Sequence, residues 1–331
     1  LQLKTRISNL KTRTGAQLKT RTGAAALAAS NYRSSKHERH QQDSMSQDEH
    51  NENSSRLIDA AKRLQEKRRV VAAPVQLPLW PDEQRGIPNP FARSALFTAA
   101  GKKEPRDTMK RMRIATVNGF DLYYTGEELR QDDEDVFLQA VHIARLRSTE
   151  EGAKTTAHRM LMALRWGRGK QDYARLRESL LRLSESTVIV ARADGRKGFT
   201  GSLLRKVKWS IDEDETGGGA STEWTIYLER EIVALFASDG YTLVDWDQRL
   251  VLTPLAKWLH SFYFTHREPF QYRVETLYGL CGSKCKELRS FRGLLKKALE
   301  KLKDCGFLSH WNIDPVSDVV SVIRVRALPK Q

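Results

Sequence analysis

Cys285-Lys-Glu-Leu-Arg-Ser-Phe-Arg-Gly-Leu-Leu-Lys-Lys-Ala-Leu-Glu-Lys-Leu-Lys-Asp-Cys-Gly306 is the stretch that decides the fold. Leu288, Phe291, Leu295, Leu299 and Leu302 recur at steps of three and four, which places them on one face of a helix. Lys286, Arg289, Arg292, Lys296 and Lys301 fall on the other faces, and Gly306 suits the residue after a helix end. Phe307 to Val325 then alternates as strands do, with Asp314-Pro315 as the turn between two runs. A basic helix followed by a hairpin is the back half of a winged helix. The front half precedes it: Pro254 to Phe264 reads as one amphipathic helix, Val274 to Leu280 as a shorter one, and Gly282-Ser283-Lys284 as the turn that delivers the basic helix at an angle. That is the geometry by which a helix enters the major groove.

The same order recurs upstream. Ile114 to Tyr124 reads as strands around Asn118-Gly119, and Val136 to Leu146, Thr155 to Trp166 and Gln171 to Ser184 as helices. Thr187 to Ala191 and Leu203 to Ile211 read as strands with a tight turn at Asp194-Gly195. Trp224, Ile226 and Leu228 alternate on a returning strand beyond an acidic, glycine-rich loop at 212–221. A shift of 119 positions pairs Leu176 with Leu295, Leu180 with Leu299, Leu183 with Leu302, Val188 with Phe307 and Ile189 with Leu308. The fold class is therefore α+β: two tandem winged-helix domains behind a disordered basic N-terminal tail. The expected boundaries are a low-complexity tail at 1–73, a proline-rich linker with a partner-binding peptide at 74–110, winged-helix domain 1 at 111–229, a bridge at 230–250 and winged-helix domain 2 at 251–331.

Composition agrees with a polyanionic partner. The chain has 331 residues, enough for two domains and a tail, and Lys plus Arg exceed Asp plus Glu by 56 to 41, a formal charge of +15. No apolar run approaches the ~18 residues of a membrane span, and no basic-then-apolar leader is visible, so a soluble cytoplasmic protein is expected. Three cysteines point to no disulfide framework. In the tail, Asn9 to Ala16 and Gln17 to Ala24 are successive copies of one octamer, too short and polar to bury a face. The polar stretch at 31–55 cannot offset its own ordering entropy, Leu57 to Val71 reads as a basic amphipathic helix, and Met45, the first methionine, marks an expected start further in.

Pro74 to Pro90 holds five prolines and is read as neither helix nor central strand. Within it Gln76, Leu77, Leu79 and Trp80 have two readings: a hydrophobic strap packed on the folded part, or a linear peptide for an apolar groove on a partner. Asp132, Asp133, Glu134 and Asp135 are read as acids complementing a helix dipole rather than as metal ligands. A zinc site spanning Cys281, Cys285, Cys305 and His310 fails on distance, because twenty helical residues at ~1.5 Å each separate Cys285 from Cys305 by ~30 Å, against zinc–sulfur bonds of ~2.3 Å. Gly167-Arg-Gly-Lys170 lacks the first glycine of a phosphate-binding loop, and no nucleophile elbow or nickase constellation is present. No enzyme and no cofactor are expected. The candidate DNA-contacting residues are Arg168, Lys170, Arg175 and Arg177 in the first unit and Lys284, Lys286, Arg289, Arg292 and Lys296 in the second.

Longer strings narrow the reading further. Pro88-Asn-Pro-Phe-Ala-Arg-Ser-Ala-Leu-Phe97, Ala115-Thr-Val-Asn-Gly-Phe120, Tyr124 to Leu138, Trp258-Leu-His-Ser-Phe-Tyr263 and Leu280-Cys-Gly-Ser283 resemble the TrfA family of broad-host-range plasmid replication initiators, from about residue 74 to residue 326. The resemblance implies tandem winged helices that bind iteron repeats in double-stranded origin DNA, promote opening of A·T-rich DNA and recruit the host replicative helicase and initiator. It also implies a monomer–dimer equilibrium with a role in copy control. Gln76 to Trp80 is similar to the family's pentapeptide for the polymerase sliding clamp, departing from it at Pro78 and at Trp80 in place of phenylalanine. The alternative is a winged-helix transcriptional repressor without initiator activity.

Overall fold

The computed structural model describes residues 76–101, 103–117, 119–192, 194, 196, 198–212, 221–237 and 240–325. The octamer repeat, the polar stretch, the 57–71 helix, Asn118, Gly195 and the interior of the acidic loop lie outside the described residues.

The described residues form one compact unit. Its opening segment contributes β1 (Gln84–Pro88), α1 (Asn89–Ala92), β2 (Phe97–Thr98), β3 (Thr108–Ile114), β4 (Phe120–Glu127) and β5 (Leu129–Arg130). Then come α2 (Gln131–Ala144), β6 (Ala153–Thr156), α3 (Ala157–Ala163), α4 (Lys170–Glu185), β7 (Thr187–Arg192), β8 (Gly198–Gly201), β9 (Leu204–Asp212) and β10 (Ser221–Leu228). Next are α5 (Arg230–Ala234), β11 (Tyr241–Asp245) and α6 (Trp246–Leu250), followed by α7 (Pro254–Phe264), β12 (Tyr272–Arg273), α8 (Val274–Leu280), α9 (Leu288–Asp304), β13 (Leu308–Ile313) and β14 (Val319–Arg324).

Two parts of this order are topologically alike. β6 leads into α3 and α4 and pairs antiparallel with β10, the centre of a sheet ordered β6-β10-β9. β12 leads into α8 and α9 and pairs antiparallel with β14, the centre of a sheet ordered β12-β14-β13. The helix correspondence extends to burial: Leu176, Ser179, Leu180 and Leu183 are buried on α4, and Leu295, Ala298, Leu299 and Leu302, each 119 positions on, are buried on α9. Beyond the helices it stops. β7 joins a four-stranded sheet, β3-β4-β7-β8, with Val188 opposite Tyr124, so Val188 and Ile189 are not the counterparts of Phe307 and Leu308 at the start of β13. The extra hairpin β7–β8 is inserted between α4 and the sheet of β9 and β10.

Among the described residues there are two hydrophobic cores, one built from Leu77 to Trp246 and one from Leu252 to Val322. The stretch expected as a linker belongs to the first. Leu77, Trp80, Ile87, Phe91 and Phe97 are all buried there, and β1 pairs antiparallel with β11, Gln84 opposite Asp245 and Pro88 opposite Tyr241. The prolines exclude a helix interior, but in a two-stranded ribbon Pro88 at a strand end is tolerated. Gly86 lets the two rings close over the ribbon, since a Cβ there would stand 3.0 Å from Phe236 and 3.1 Å from the Trp80 ring. No helix among the described residues is long and apolar enough to cross a membrane.

Candidate nucleic-acid interface

α9 begins at Leu288, three residues later than its periodicity alone suggests, so Lys284 and Lys286 belong to the preceding turn. Gly282 opens that turn at φ +59°, and the Tyr278 hydroxyl donates to the Cys285 carbonyl at 2.7 Å, holding the chain out of the helix. Phe291, Leu295, Ala298, Leu299 and Leu302 are buried, with α9 packed on α7 and β13. Lys301 and Lys303 in the last turn complement the helix dipole. The opposite face is exposed and carries Arg289, Ser290, Gly293, Lys296 and Lys297. Arg289, Lys286, Lys296 and Lys297 make no ion pair among the described residues.

The other two candidate contact residues of this region are engaged. Arg292 forms a two-pronged pair with Asp318 on the turn between β13 and β14, at 2.8 and 2.6 Å. That hydrogen bonding raises the Arg292 pKa and is the main reason the Asp318 carboxyl is held below its ordinary value. Lys284 reaches across to the first core, donating to Glu128 and Asp107 at 2.9 Å each and to the Pro105 carbonyl at 3.0 Å. Desolvation pulls its pKa down, but the hydrogen bonds to Asp107 and Glu128 prevail and raise it.

On the first unit, Gly169 caps α4, donating its backbone N–H to Asp172 at 3.1 Å. Arg168, Lys170 and Arg177 are exposed, and the Arg177 guanidinium lies 5.3 Å from the centre of the Trp209 ring on β9. Arg175 turns back instead, pairing with Asp132 at 2.8 Å and stacking 3.7 Å over Trp166. Sequence reasoning did not single out Lys206, Lys208, Trp209 or Lys297, which are also exposed. A signal existed for the first three, because Arg205-Lys-Val-Lys-Trp209 sets cations beside an aromatic on one strand of the hairpin.

The four consecutive acids of α2 do more than complement its dipole. Asp133 accepts the Arg130 backbone N–H at 2.9 Å, the Ser179 hydroxyl at 2.8 Å and the Arg182 guanidinium at 2.9 Å. Burial would raise the Asp132 pKa, but Arg175 and then Arg106 hold it low. Asp135 accepts the Arg249 Nε at 2.7 Å and also the Lys257 ammonium, while Glu134 lies 3.2 Å from Arg249. Arg249 is 0% exposed and donates on to Ser261 of α7 at 2.7 Å. The run is thus a buried ionic junction between the two cores. No group of three or more His, Cys, Asp or Glu among the described residues is placed to hold a metal ion, and Cys281 is buried as a small hydrophobe.

The peptide at 76–80 lies against α2. Gln76 is exposed and bridges Ser148, Leu79 is 70% exposed, and Leu77 and Trp80 are buried. The Trp80 Nε1–H donates to His142 Nδ1 at 3.1 Å, and its ring stacks on Phe236 with centroids 6.0 Å apart. In this arrangement Gln76 and Leu79 face outward and the other two anchors do not.

Three comparisons with known proteins add to this geometry. The family described as TrfA protein matches residues 43–323. The plasmid replication initiator protein TrfA of Escherichia coli is 32% identical over 233 residues, which is 70% of this chain and 60% of that protein's length. Among solved structures, domains 2–3 of RctB align over 69% of this chain and 95% of theirs, with a TM-score of 0.47 and 13% identity. The Pi initiator protein in complex with iteron DNA aligns over 57% of this chain and 90% of its own, with a TM-score of 0.41 and 13% identity.

Proposed function

The chain belongs to the TrfA protein family, and from that premise we propose that it is a plasmid replication initiator built of tandem winged helices that reads iteron repeats in double-stranded origin DNA. The observation that carries this reading is the pair α4 and α9, which bury the same four positions and turn free cations outward. Each helix enters a major groove, α4 through Arg168, Lys170 and Arg177 and α9 through Lys286, Arg289 and Lys296. Arg175, Arg292 and Lys284 serve the same interface by fixing the helices against α2, the β13–β14 turn and the first core. Two reading heads on one chain let a monomer span a long direct repeat without a two-fold axis. Opening of adjacent A·T-rich DNA is driven by binding energy spent on deforming the repeats. Recruitment of the host replicative helicase and initiator, capture of the sliding clamp by Gln76, Leu77, Leu79 and Trp80, and self-association that restrains copy number complete the proposal.

Binding to iteron and scrambled duplexes at several salt concentrations tests the interface. Arg289→Ala is expected to erode the preference for the iteron by about 1–3 kcal/mol, whereas Lys301→Ala weakens both duplexes alike and lowers the salt slope by about one unit. Unchanged iteron preference in Arg289→Ala would overturn the orientation of α9. An iteron-bearing plasmid supplied with the protein in trans separates initiator from repressor: replication is expected, and silence would favour the repressor.

A further inference from the structure

Gly293 is at the centre of the exposed face of α9, directly opposite the buried stripe of Phe291, Leu295, Ala298, Leu299 and Leu302. A glycine in a helix interior destabilises it relative to alanine and needs a reason. Nothing among the described residues supplies one: the backbone there is not left-handed, and a Cβ built on Gly293 meets nothing within 4 Å. Gly279 has equally open space, but it lies in the last turn of α8, where a helix end accounts for it. The next residue, Leu294, is an apolar side chain left 48% exposed in the first two turns of the helix, with Ser290 one turn before it and Lys297 one turn after it on the same side. The equivalent of Gly293 on α4, 119 positions earlier, is Ala174, also small and exposed.

We infer that Gly293 and Leu294 are specificity-determining residues of α9: Gly293 lets the helix axis approach the floor of the major groove, and Leu294 meets a thymine methyl there. The inference rests on the proposed reading of α9 as a groove-entering helix. The physical case is complementary on both sides. The flanking lysines supply the attraction to phosphate, which carries no sequence information. Omission of a side chain at the point of nearest approach removes the steric limit on depth. A thymine 5-methyl is the one apolar group that a base pair offers in that groove, and a solvent-exposed leucine beside the notch is its natural partner.

The test uses the full chain and duplexes carrying one iteron of the parent plasmid's origin, with thymines replaced one at a time by uracil. For the unaltered protein, one such replacement is expected to weaken binding about fourfold, the value of one buried methyl. Leu294→Ala should bind the uracil and thymine duplexes equally at that position. Gly293→Ala should raise the melting temperature by about 2 °C while weakening iteron binding about tenfold, the scale of one lost base contact, and leaving scrambled-duplex binding unchanged. Full iteron affinity in Gly293→Ala, or equal uracil sensitivity with and without Leu294, would overturn the inference. Arg289→Ala, run alongside, separates the levels: if it loses iteron preference while Gly293→Ala does not, only this inference falls, and if neither changes binding, α9 does not read the groove at all.

Discussion

Arg249 shows how much one side chain can organise. Burial alone would lower its pKa, but Glu134 and then Asp135 outweigh that and keep it above the ordinary value. Five acceptors surround it: Asp135, Glu134, Gln131, Ser261 and the Lys257 carbonyl. Removing one partner of such a set leaves charges that water cannot reach. Arg249→Met is therefore expected to lower the unfolding free energy, measured in urea, by about 3–5 kcal/mol. A loss well under ~1 kcal/mol would mean that Lys257 alone satisfies the carboxylates. Nothing in the local sequence around Arg249 marks it, since Asp-Gln-Arg-Leu reads as an ordinary exposed turn of helix. The acids at 132–135 were conspicuous, yet their cationic partners run from Arg106, 26 positions before Asp132, to Lys257, 122 positions after Asp135, and no spacing rule reaches that far.

At the scale of elements, the helices were legible because their signal is local. Apolar residues at steps of three and four must share a face, whatever surrounds them. Hence α4 and α9 were readable to within a few residues, while the start of α9 was misplaced because a tertiary contact, Tyr278 to the Cys285 carbonyl, holds the turn open. The segment at 76–88 was harder. Its prolines restrict conformation without saying what the chain packs against, so strap and free peptide were equal readings. Its packing makes a clear prediction. Trp80→Ala, which removes a buried ring and leaves His142 without its donor, should destabilise the fold by about 3–5 kcal/mol. Leu79→Ala, at a side chain 70% exposed, should stay within about 0.5 kcal/mol. Equal effects in urea titrations would show that the strap is not seated on α2. Any partner that takes Leu77 and Trp80 must first draw them from the first core.

Across the whole molecule, three histidines make the fold acid-sensitive. Burial, then the charges of Arg85 and Arg145, push His142 down to about 3. Burial first, then Arg249 and Arg324, lowers His260, and burial does the same to His266 with Arg93 and Arg324 contributing. The unfolded imidazoles take up protons near pH ~6.5 and the folded ones resist, so the unfolded state binds more protons in that window. Stability should then fall as pH drops below about 6.5, by up to ~1.4 kcal/mol per pH unit for each histidine. His142→Gln should make the decline shallower by about one proton, as read from melting temperature against pH, and a flat profile from pH ~6.5 to ~5 would contradict the account. Periodicity, composition and short strings by themselves determined the helices, their basic faces, the lack of a phosphate-binding loop and the family resemblance, because each of these is written within a few consecutive residues. Tertiary structure alone decided which cations stay free for a polyanion: Arg292 is taken by Asp318, 26 positions on, and Lys284 by Glu128, 156 positions back. Ion pairing falls with distance in space, and separation along a chain does not report that distance once the chain is folded.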